Sequence, residues 1–238
     1  MDRKKQEILH GKAISLDAEN IWGWTTPAGN LRGERRVDEI LKRLGLDNKL
    51  KILEIGCGTG FFSSKFKKRG IEPICLDISM DLLNHAKNKG SNLNFIQADA
   101  ENLPFKDNTF DAIIVISVLH HLDIKVALTA FKNALKKDGL IIFSEPNMLN
   151  PQIFLQKNIP FLKKMAGDTP TETAFFRWSL KKPLKKLGFS RIEIKPFDFM
   201  HPAIPIGLIS LFKPITELFE KIPVIKELSG SLIIFAKK

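Results

Sequence analysis

The chain has 238 residues, of which 44% are hydrophobic, and a formal net charge of +11. This length and composition predict one domain with a substantial core, and the lack of any run of about 18 uncharged apolar residues excludes a predicted transmembrane helix. The charged first residues lack an apolar stretch, so we expect no signal peptide. Cys57 and Cys75 lie in or beside apolar strands, which favours reduced side chains in a cytoplasmic protein.

Lysine supplies most of the positive charge, in clusters such as residues 65–69. These clusters predict solvated helical surfaces, and the alternative is attraction to an anionic partner such as a membrane, a nucleic acid or a phosphorylated substrate. The sequence contains no spacing typical of metal ligands, so we expect no metal ion.

Residues 1–45 predict a helical segment that either packs on the core or forms a lid. Trp22 and Trp24 lie beside a proline and glycine turn, and two tryptophans are costly to leave exposed. Trp24 is therefore a candidate substrate contact. Residues 36–44 predict an amphipathic helix that ends at Gly45.

Residues 51–60 predict a buried strand followed directly by a glycine turn, and helical spacing resumes at Phe61. Glycines at positions 56, 58 and 60 allow a tight turn and a close approach of the backbone to a ligand. The spacing differs from the dinucleotide fingerprint. Glu54 precedes the turn, and a carboxylate there suits a cation and would repel a pyrophosphate.

Acidic residues follow the next two predicted strands. Asp77 comes about twenty residues after the glycine turn, where an acid in a doubly wound sheet accepts hydrogen bonds from ribose hydroxyls. A second interpretation is that Asp77 or Ser79 caps the helix predicted at 80–89. Asp99 follows the strand predicted at 94–98, and such a residue is often only part of a turn.

The most apolar predicted strand, 112–117, leads into His120 and His121. Either histidine could act as a general base near neutral pH, or could hold the loop through hydrogen bonds to the backbone. Glu145 and Asn147 follow the strand at 140–144 and are candidate substrate contacts at the same edge of the sheet.

Four segments resemble class I S-adenosylmethionine-dependent methyltransferases and occur in that family's order: residues 53–60, 77–80, 99–100 and 110–121. The last segment is similar to the type 11 branch, which includes the ubiquinone and menaquinone biosynthesis methyltransferases. The resemblance implies S-adenosyl-L-methionine as cofactor and S-adenosyl-L-homocysteine as product. The residues that it assigns to cofactor binding are Glu54, Gly56, Cys57, Gly58, Gly60, Asp77, Ile78, Met80, Asp99, Ala100 and Ser117.

Within that set, the resemblance gives Asp77 to the ribose and places Ile78 and Met80 near the adenine. It gives the adenine amine and ring nitrogen to Asp99 and Ala100, and it places Ser117 near the amino-acid moiety of the cofactor.

The resemblance also implies the fold: an α/β, Rossmann-like doubly wound sheet of seven strands, the last antiparallel, with helices on both faces. We expect a methyltransferase domain over residues 46–238, with inserted segments at 150–175 and 198–229 as candidate caps. The sequence predicts the last two strands at 191–197 and 231–236. Between them, residues 200–229 are rich in apolar side chains, and four prolines predict short pieces. A connector of this composition covers the site, lies on a membrane surface, or forms a dimer contact.

The predicted function is in-line methyl transfer to an oxygen, carbon or nitrogen of a small or lipidic, hydrophobic acceptor, in a cytoplasmic protein with peripheral membrane contact through 200–229. No aromatic and basic stacking tract is present, so we expect no nucleic-acid partner. The alternatives are a non-catalytic module that binds an adenosine ligand, a methyltransferase for a polar metabolite, protein or RNA, and a nicotinamide oxidoreductase. The sequence does not determine the acceptor or the oligomeric state.

Overall fold

The protein is described from a computed structural model that covers residues 2–45, 49–169 and 172–238. These residues form one seven-stranded sheet in the order β3-β2-β1-β4-β5-β7-β6. The strands are β1 Ile52–Ile55, β2 Ile74–Asp77, β3 Asn94–Gln97, β4 Phe110–Ile116, β5 Leu135–Pro146, β6 Ser190–Phe197 and β7 Ser231–Lys237. Strands β1 to β5 run parallel, and β7 lies antiparallel between β5 and β6. The predicted fold class is confirmed.

Ten helices surround the sheet in the described part of the chain. They are α1 Arg3–Ile14, α2 Ala18–Ile21, α3 Pro27–Leu44, α4 Phe61–Lys67, α5 Met80–Asn88, α6 Ile124–Ala134, α7 Pro151–Asn158, α8 Pro160–Met165, α9 Arg177–Lys186 and α10 Ile206–Phe219. The expected domain boundary at residue 46 falls in the segment 46–48, which lies outside the described residues.

Alternation along the central strands sends apolar side chains to both faces of the sheet. On β4, Ile113 and Val115 pack with Leu128 and Phe131 of α6 on one face. Ile114 and the β4 side chains that share its face pack with residues of α3 and α4 on the other side of the sheet. The sheet is therefore buried on both sides, and only its carboxyl edge is free to form a site.

Helix α3 begins nine residues before the predicted helix, because a proline that was expected in a turn occupies its first position. Thr26 caps the helix by accepting a hydrogen bond from the backbone N–H of Gly29 at 3.0 Å, and Pro27 has the fixed φ that suits a first helical residue. A Cβ at Gly33 would lie 2.7 Å from Phe61, so this glycine lets α3 approach α4 closely.

The lysine cluster at 65–69 is only partly a solvated surface. Lys65 is buried beside Glu34 and Asn30 of α3, which corrects the sequence interpretation for this residue. Its ammonium group joins α4 to α3, and a lysine is buried only when it is paired in this way.

The connector between β6 and β7 contains a single 14-residue helix, α10, that continues through Pro214. The prediction that prolines divide this segment into short pieces was therefore wrong over 206–219. Within the described residues, no helix is both long enough and apolar enough to span a lipid bilayer.

Candidate functional site

A cavity of about 520 Å³ lies over the carboxyl ends of β1, β2, β3 and β4. Eleven of the residues predicted for the site line it: Trp24, Gly56, Cys57, Gly58, Asp77, Ile78, Asp99, Ala100, Ser117, His120 and His121. Five predicted residues are not among the lining residues: Glu54, Gly60, Met80, Glu145 and Asn147. The topology thus brings together side chains that are up to about a hundred residues apart.

The glycine turn holds a backbone that other residues would not adopt. Gly56 and Gly58 have φ values of +69° and +52°, in the left-handed region that favours glycine. A Cβ at Gly56 would lie 2.1 Å from the side chain of Val118. The turn is anchored because the N–H groups of Gly56 and Cys57 both donate to the carbonyl oxygen of Leu76, at 2.7 and 3.0 Å.

Asp77 lies at the end of β2 with both carboxylate oxygens facing backbone donors. Its Oδ2 accepts from the N–H of Gly58 at 2.8 Å, and its Oδ1 accepts from the N–H of Ser79 at 2.8 Å. Burial raises the pKa of Asp77, and these N–H groups counteract the increase. Ser79 also caps α5, which confirms the capping interpretation for Ser79, while the contact of Asp77 with a ribose stays a prediction. Met80, 40% exposed at the start of α5, does not line the cavity.

Glu54 is buried under the glycine turn, and its Oε2 has no hydrogen-bond partner among the described residues. Burial raises the pKa of Glu54 to about 8. In this environment its carboxyl group is largely protonated at neutral pH, and its predicted interaction with a cation stays a prediction. Gly60 likewise serves the backbone, as the left-handed residue at which α4 begins.

The segment that precedes the sheet covers the part of the cavity that Asp99 lines. Lys4 of α1 binds Asp99 Oδ2 at 2.6 Å, and Arg3 binds Glu101 and the carbonyl oxygen of His121. Gly11 lets α1 approach α5, since a Cβ there would lie 2.6 Å from Ser79 Oγ. These contacts were not predictable from the sequence, because α1 has no apolar face that fixes its position.

Two further carboxylates connect the same segment to opposite sides of the cavity. Glu7 on α1 lies 3.2 Å from His121 Nδ1 and 3.1 Å from Thr169 Oγ1. Glu19 on α2 accepts a hydrogen bond from Thr59 Oγ1 at 2.6 Å and pairs with Lys89. Residues 2–24 therefore lie over the cavity and are held by polar contacts rather than by a large apolar interface.

His120 is clamped between two carboxylates. Its Nδ1 lies 2.6 Å from Glu145 Oε2, and its Nε2 lies 3.5 Å from Glu172 Oε1. Burial lowers the pKa of His120, but Glu145 and Glu172 outweigh burial and raise it to about 9. His120 is then protonated at neutral pH and cannot accept a proton there. This charge state favours the second interpretation, in which His120 holds the loop, and a role as general base stays a prediction.

Glu145 and Asn147 brace loops instead of facing the cavity. Glu145 Oε1 accepts from the N–H groups of Val118 and Leu119 at 3.1 and 2.9 Å. Asn147 donates from its Nδ2 to the carbonyl oxygens of Glu227 and Ser229, both at 2.8 Å. Their expected contact with substrate is therefore corrected to a supporting role.

His120, His121 and Glu172 can each place one ligand atom within 4.8 Å of the others. Lys157 lies 2.6 Å from Glu172 and 2.8 Å from Asp168. Burial raises the pKa of Glu172, but His120, and after it His121 and Lys157, outweigh burial and lower it. These residues form an ion network that joins the segment around α7 to the loop that follows β4.

Two arginines at the inner wall were not predicted for the site. Arg32 and Arg36 line the cavity beside Trp24, whose ring stacks on Phe61 at a centroid distance of 5.4 Å. Positions four apart on one helix share a face, but Arg32 precedes the helix predicted at 36–44, so the sequence analysis did not pair it with Arg36. Ser117, with φ +56°, also lines the cavity, and such backbone strain concentrates at functional sites.

Residues 53–143 match the family model described as a methyltransferase domain. This match confirms the resemblance to class I S-adenosylmethionine-dependent methyltransferases over these residues.

Among curated proteins, the chain is 33% identical over 106 residues to the malonyl-[acyl-carrier protein] O-methyltransferase of Hamiltonella defensa, covering 44% of this chain and 41% of that protein. It is 32% identical over 143 residues to the ubiquinone/menaquinone biosynthesis C-methyltransferase of Haemophilus ducreyi, covering 54% and 55% of the two chains. The chain thus spans about half the length of the curated relatives it matches.

Among solved structures, the chain is similar to magnesium protoporphyrin IX methyltransferase from Synechocystis, solved with bound S-adenosylhomocysteine. The TM-score is 0.65 with 19% identity, and the alignment covers 100% of both chains. At this identity the similarity shows the fold alone.

Proposed function

We propose that this chain is an S-adenosylmethionine-dependent methyltransferase that acts on a small acceptor with an apolar body. The observation that carries the proposal is the convergence of the glycine turn, Asp77 and Asp99 on one cavity of about 520 Å³, a volume typical of small-molecule sites. All three lie inside the stretch that matches the methyltransferase family.

The residues present fit an adenosyl cofactor. A carboxylate offers about four lone-pair positions, and the backbone donors near Asp77 occupy two of them. The remaining positions can accept hydrogen bonds from the ribose hydroxyls. Gly56 and Gly58 line the cavity, and their missing side chains leave room for Val118 and Trp22 beside the turn. Asp99 with Ala100 would hold the adenine.

When bound, the cofactor supplies a methyl group that is already electrophilic because it is attached to a sulfonium sulfur. The chain therefore has to orient the acceptor and exclude water, and orientation alone supplies a large part of the acceleration. Ser117 is fixed for this purpose, since its N–H donates to the carbonyl oxygen of Ser144 at 2.7 Å. The segment at residues 2–24 covers the cavity and acts as its lid.

The apolar part of the acceptor would lie against an aromatic wall. Trp22, Trp24, Phe61 and Phe62 line the cavity, whereas no residue of 200–229 is among its lining residues. The support for a hydrophobic acceptor therefore comes from the N-terminal aromatic residues, and not from the connector on which the sequence argument relied. Relatives named for a quinone and for an acyl-carrier-protein substrate are consistent with such an acceptor.

Contact with a membrane surface is the second part of the proposal. Seven large apolar side chains on α10 are exposed, and Thr216 is its only buried residue. An exposed apolar helix on a chain of net charge +11 suits an anionic bilayer surface. Such contact would bring the protein to a lipidic acceptor.

The alternatives remain distinguishable by experiment. A module that only binds an adenosine ligand would bind S-adenosylhomocysteine but would not transfer a labelled methyl group to any acceptor pool. A methyltransferase for a polar metabolite, protein or RNA would transfer the label to the aqueous fraction of an extract. A nicotinamide oxidoreductase would purify with bound NAD.

The direct test is calorimetric titration of S-adenosylhomocysteine into the wild type, Asp77→Ala and Asp107→Ala. Asp107 is exposed in a loop away from the cavity and controls for the loss of a carboxylate. We expect micromolar binding to the wild type and the control, weakened by about 1–3 kcal/mol in Asp77→Ala. Equal affinities in all three proteins would contradict the assignment of Asp77.

A further inference from the structure

Arg32 and Arg36 hold an excess of positive charge at the inner wall of the cavity. Arg36, 2% exposed, donates from Nε to Ser144 Oγ at 2.7 Å and from Nη2 to Ser231 Oγ at 2.9 Å. Its Nη2 also lies 3.3 Å from Asp198 Oδ2, and Arg32 Nε donates to the same oxygen at 2.7 Å. One carboxylate oxygen thus serves two guanidinium groups.

Among the described residues, Asp198 is the only carboxylate that forms an ion pair with Arg32 or Arg36. Arg36 Nη1 is buried and has no hydrogen-bond partner among the described residues. Glu145, the other carboxylate that acts on Arg36, is engaged by His120. A buried charge without a partner is costly, so the wall is prepared for one additional anion.

The position of the pair separates it from the adenosyl side of the cavity. Asp99 and Asp77 lie at the ends of β3 and β2, on one side of the β1 and β4 pair. Arg36 binds Ser144 on β5 and Ser231 on β7, on the other side of that pair. An anion held there would lie on the side of the cavity away from Asp77 and Asp99.

The aromatic wall lies directly beside the charge. The guanidinium carbons of Arg32 and Arg36 lie 5.5 and 5.3 Å from the centroid of the Trp24 ring. A ligand that fits this wall has an apolar body that ends in a negative group. The net excess of one positive charge matches a monoanion, and a planar guanidinium fork matches a carboxylate.

We infer that Arg36 and Arg32 form a carboxylate-binding site for the methyl acceptor, so that the acceptor is an apolar molecule with a carboxylate end. The inference rests on the proposed function, since it assigns the acceptor half of the same cavity. Trp24 then packs against the apolar body, and the two guanidiniums fix the orientation of the carboxylate.

The experiment compares octanoate with octan-1-ol, which share an apolar chain and differ in charge. Binding is followed by tryptophan fluorescence with saturating S-adenosylhomocysteine and again without it. For the wild type we expect octanoate to bind at least tenfold more tightly than octan-1-ol. Equal binding of the two probes, or a preference for the alcohol, overturns the inference.

Arg32→Gln is the informative variant, because Arg32 is only partly buried. When the charge of Arg32 is removed, Arg36 still pairs with Asp198. We expect this variant to lose about tenfold in octanoate affinity and to retain octan-1-ol binding. Arg36→Lys, which keeps the charge but not the fork, should show the same selective loss. Arg35→Gln is the control, because Arg35 pairs with Glu220 and is not among the cavity-lining residues. If Arg35→Gln loses as much octanoate affinity as Arg32→Gln does, the inference is overturned.

A third ligand distinguishes the two sources of a carboxylate. 5′-Methylthioadenosine lacks the amino-acid carboxylate of S-adenosylhomocysteine. If Arg32→Gln weakens the homocysteine ligand but not 5′-methylthioadenosine, the anion is the cofactor's own carboxylate and the assignment to the acceptor is wrong. Failure of the wild type to bind S-adenosylhomocysteine contradicts the proposed function instead, and the octanoate comparison without that ligand still decides on the arginine site.

Discussion

His120 links the stability of the protein to pH in a direction that can be calculated. Its pKa in the folded protein is about 9, raised from 6.5 by Glu145 and Glu172 against the effect of burial. A histidine whose pKa is raised on folding stabilises the folded state fully below pH 6.5. That stabilisation is lost as the pH rises through about 9.

The magnitude follows from the same two values. At 1.36 kcal/mol per pH unit, the interval from 6.5 to about 9 corresponds to ~3 kcal/mol of stability from the protonated imidazole. The imidazole is almost completely enclosed, with 3% of its side chain exposed, so solvent screens this interaction little.

The assay is urea denaturation of the wild type, His120→Gln and His85→Gln at half-unit steps from pH 6 to 9.5. The free energy of unfolding of the wild type should exceed that of His120→Gln by an amount that shrinks by ~3 kcal/mol across this range. His85 lies on α5 outside the ion network and controls for the loss of a histidine. If the difference in free energy of unfolding between the wild type and His120→Gln changes by less than about 1 kcal/mol across this pH range, the reasoning is refuted.

The other predictions concern the turn, the lid and the exposed helix. In urea titrations, Gly56→Ala should lower the free energy of unfolding by about 1–3 kcal/mol more than Gly90→Ala does. Both glycines have positive φ, but only Gly56 lacks space for a Cβ. Equal losses of stability in the two variants would refute this. Lys4→Gln should speed the dissociation of S-adenosylhomocysteine in stopped-flow experiments by severalfold, because it breaks the ion pair between α1 and the adenine side. The exposed neighbour Lys5→Gln should not, and equal rates would contradict a lid role. Leu211→Glu should reduce sedimentation with phosphatidylglycerol vesicles at least fivefold, and a variant that still sediments like the wild type would exclude α10 as the contact.

The sheet and the cofactor side of the cavity were predictable because their signals are local. A buried strand, a glycine turn and an acidic residue at a strand end are each encoded within about ten residues. Asp77 and Asp99 therefore appeared in the sequence as ligands before their geometry was known. The parallel topology then placed their strand ends at one edge without further information.

Burial and pairing between distant segments were not predictable from those signals. The charge states of Glu54 and His120 depend on enclosure and on partners that are up to 52 residues away, as with Glu172. The position of α1 depends on polar contacts with Asp99 and Glu101, and its own sequence has no apolar stripe to reveal them. The sequence thus predicts where a residue at a strand end lies, but its protonation state can be inferred only from the folded structure.

The charge states of the two sides of the cavity lead to a common expectation about the acceptor. His120 is held protonated between two carboxylates, so it cannot remove a proton from an acceptor near neutral pH. Arg32 and Arg36 together carry one more positive charge than Asp198 neutralises. An acceptor that arrives as an anion satisfies both conditions, because it offsets the buried charge and needs no general base. The rate of methyl transfer to such an acceptor should then be nearly constant from pH 6 to 8. A tenfold increase over that range would show instead that a proton must leave the acceptor first.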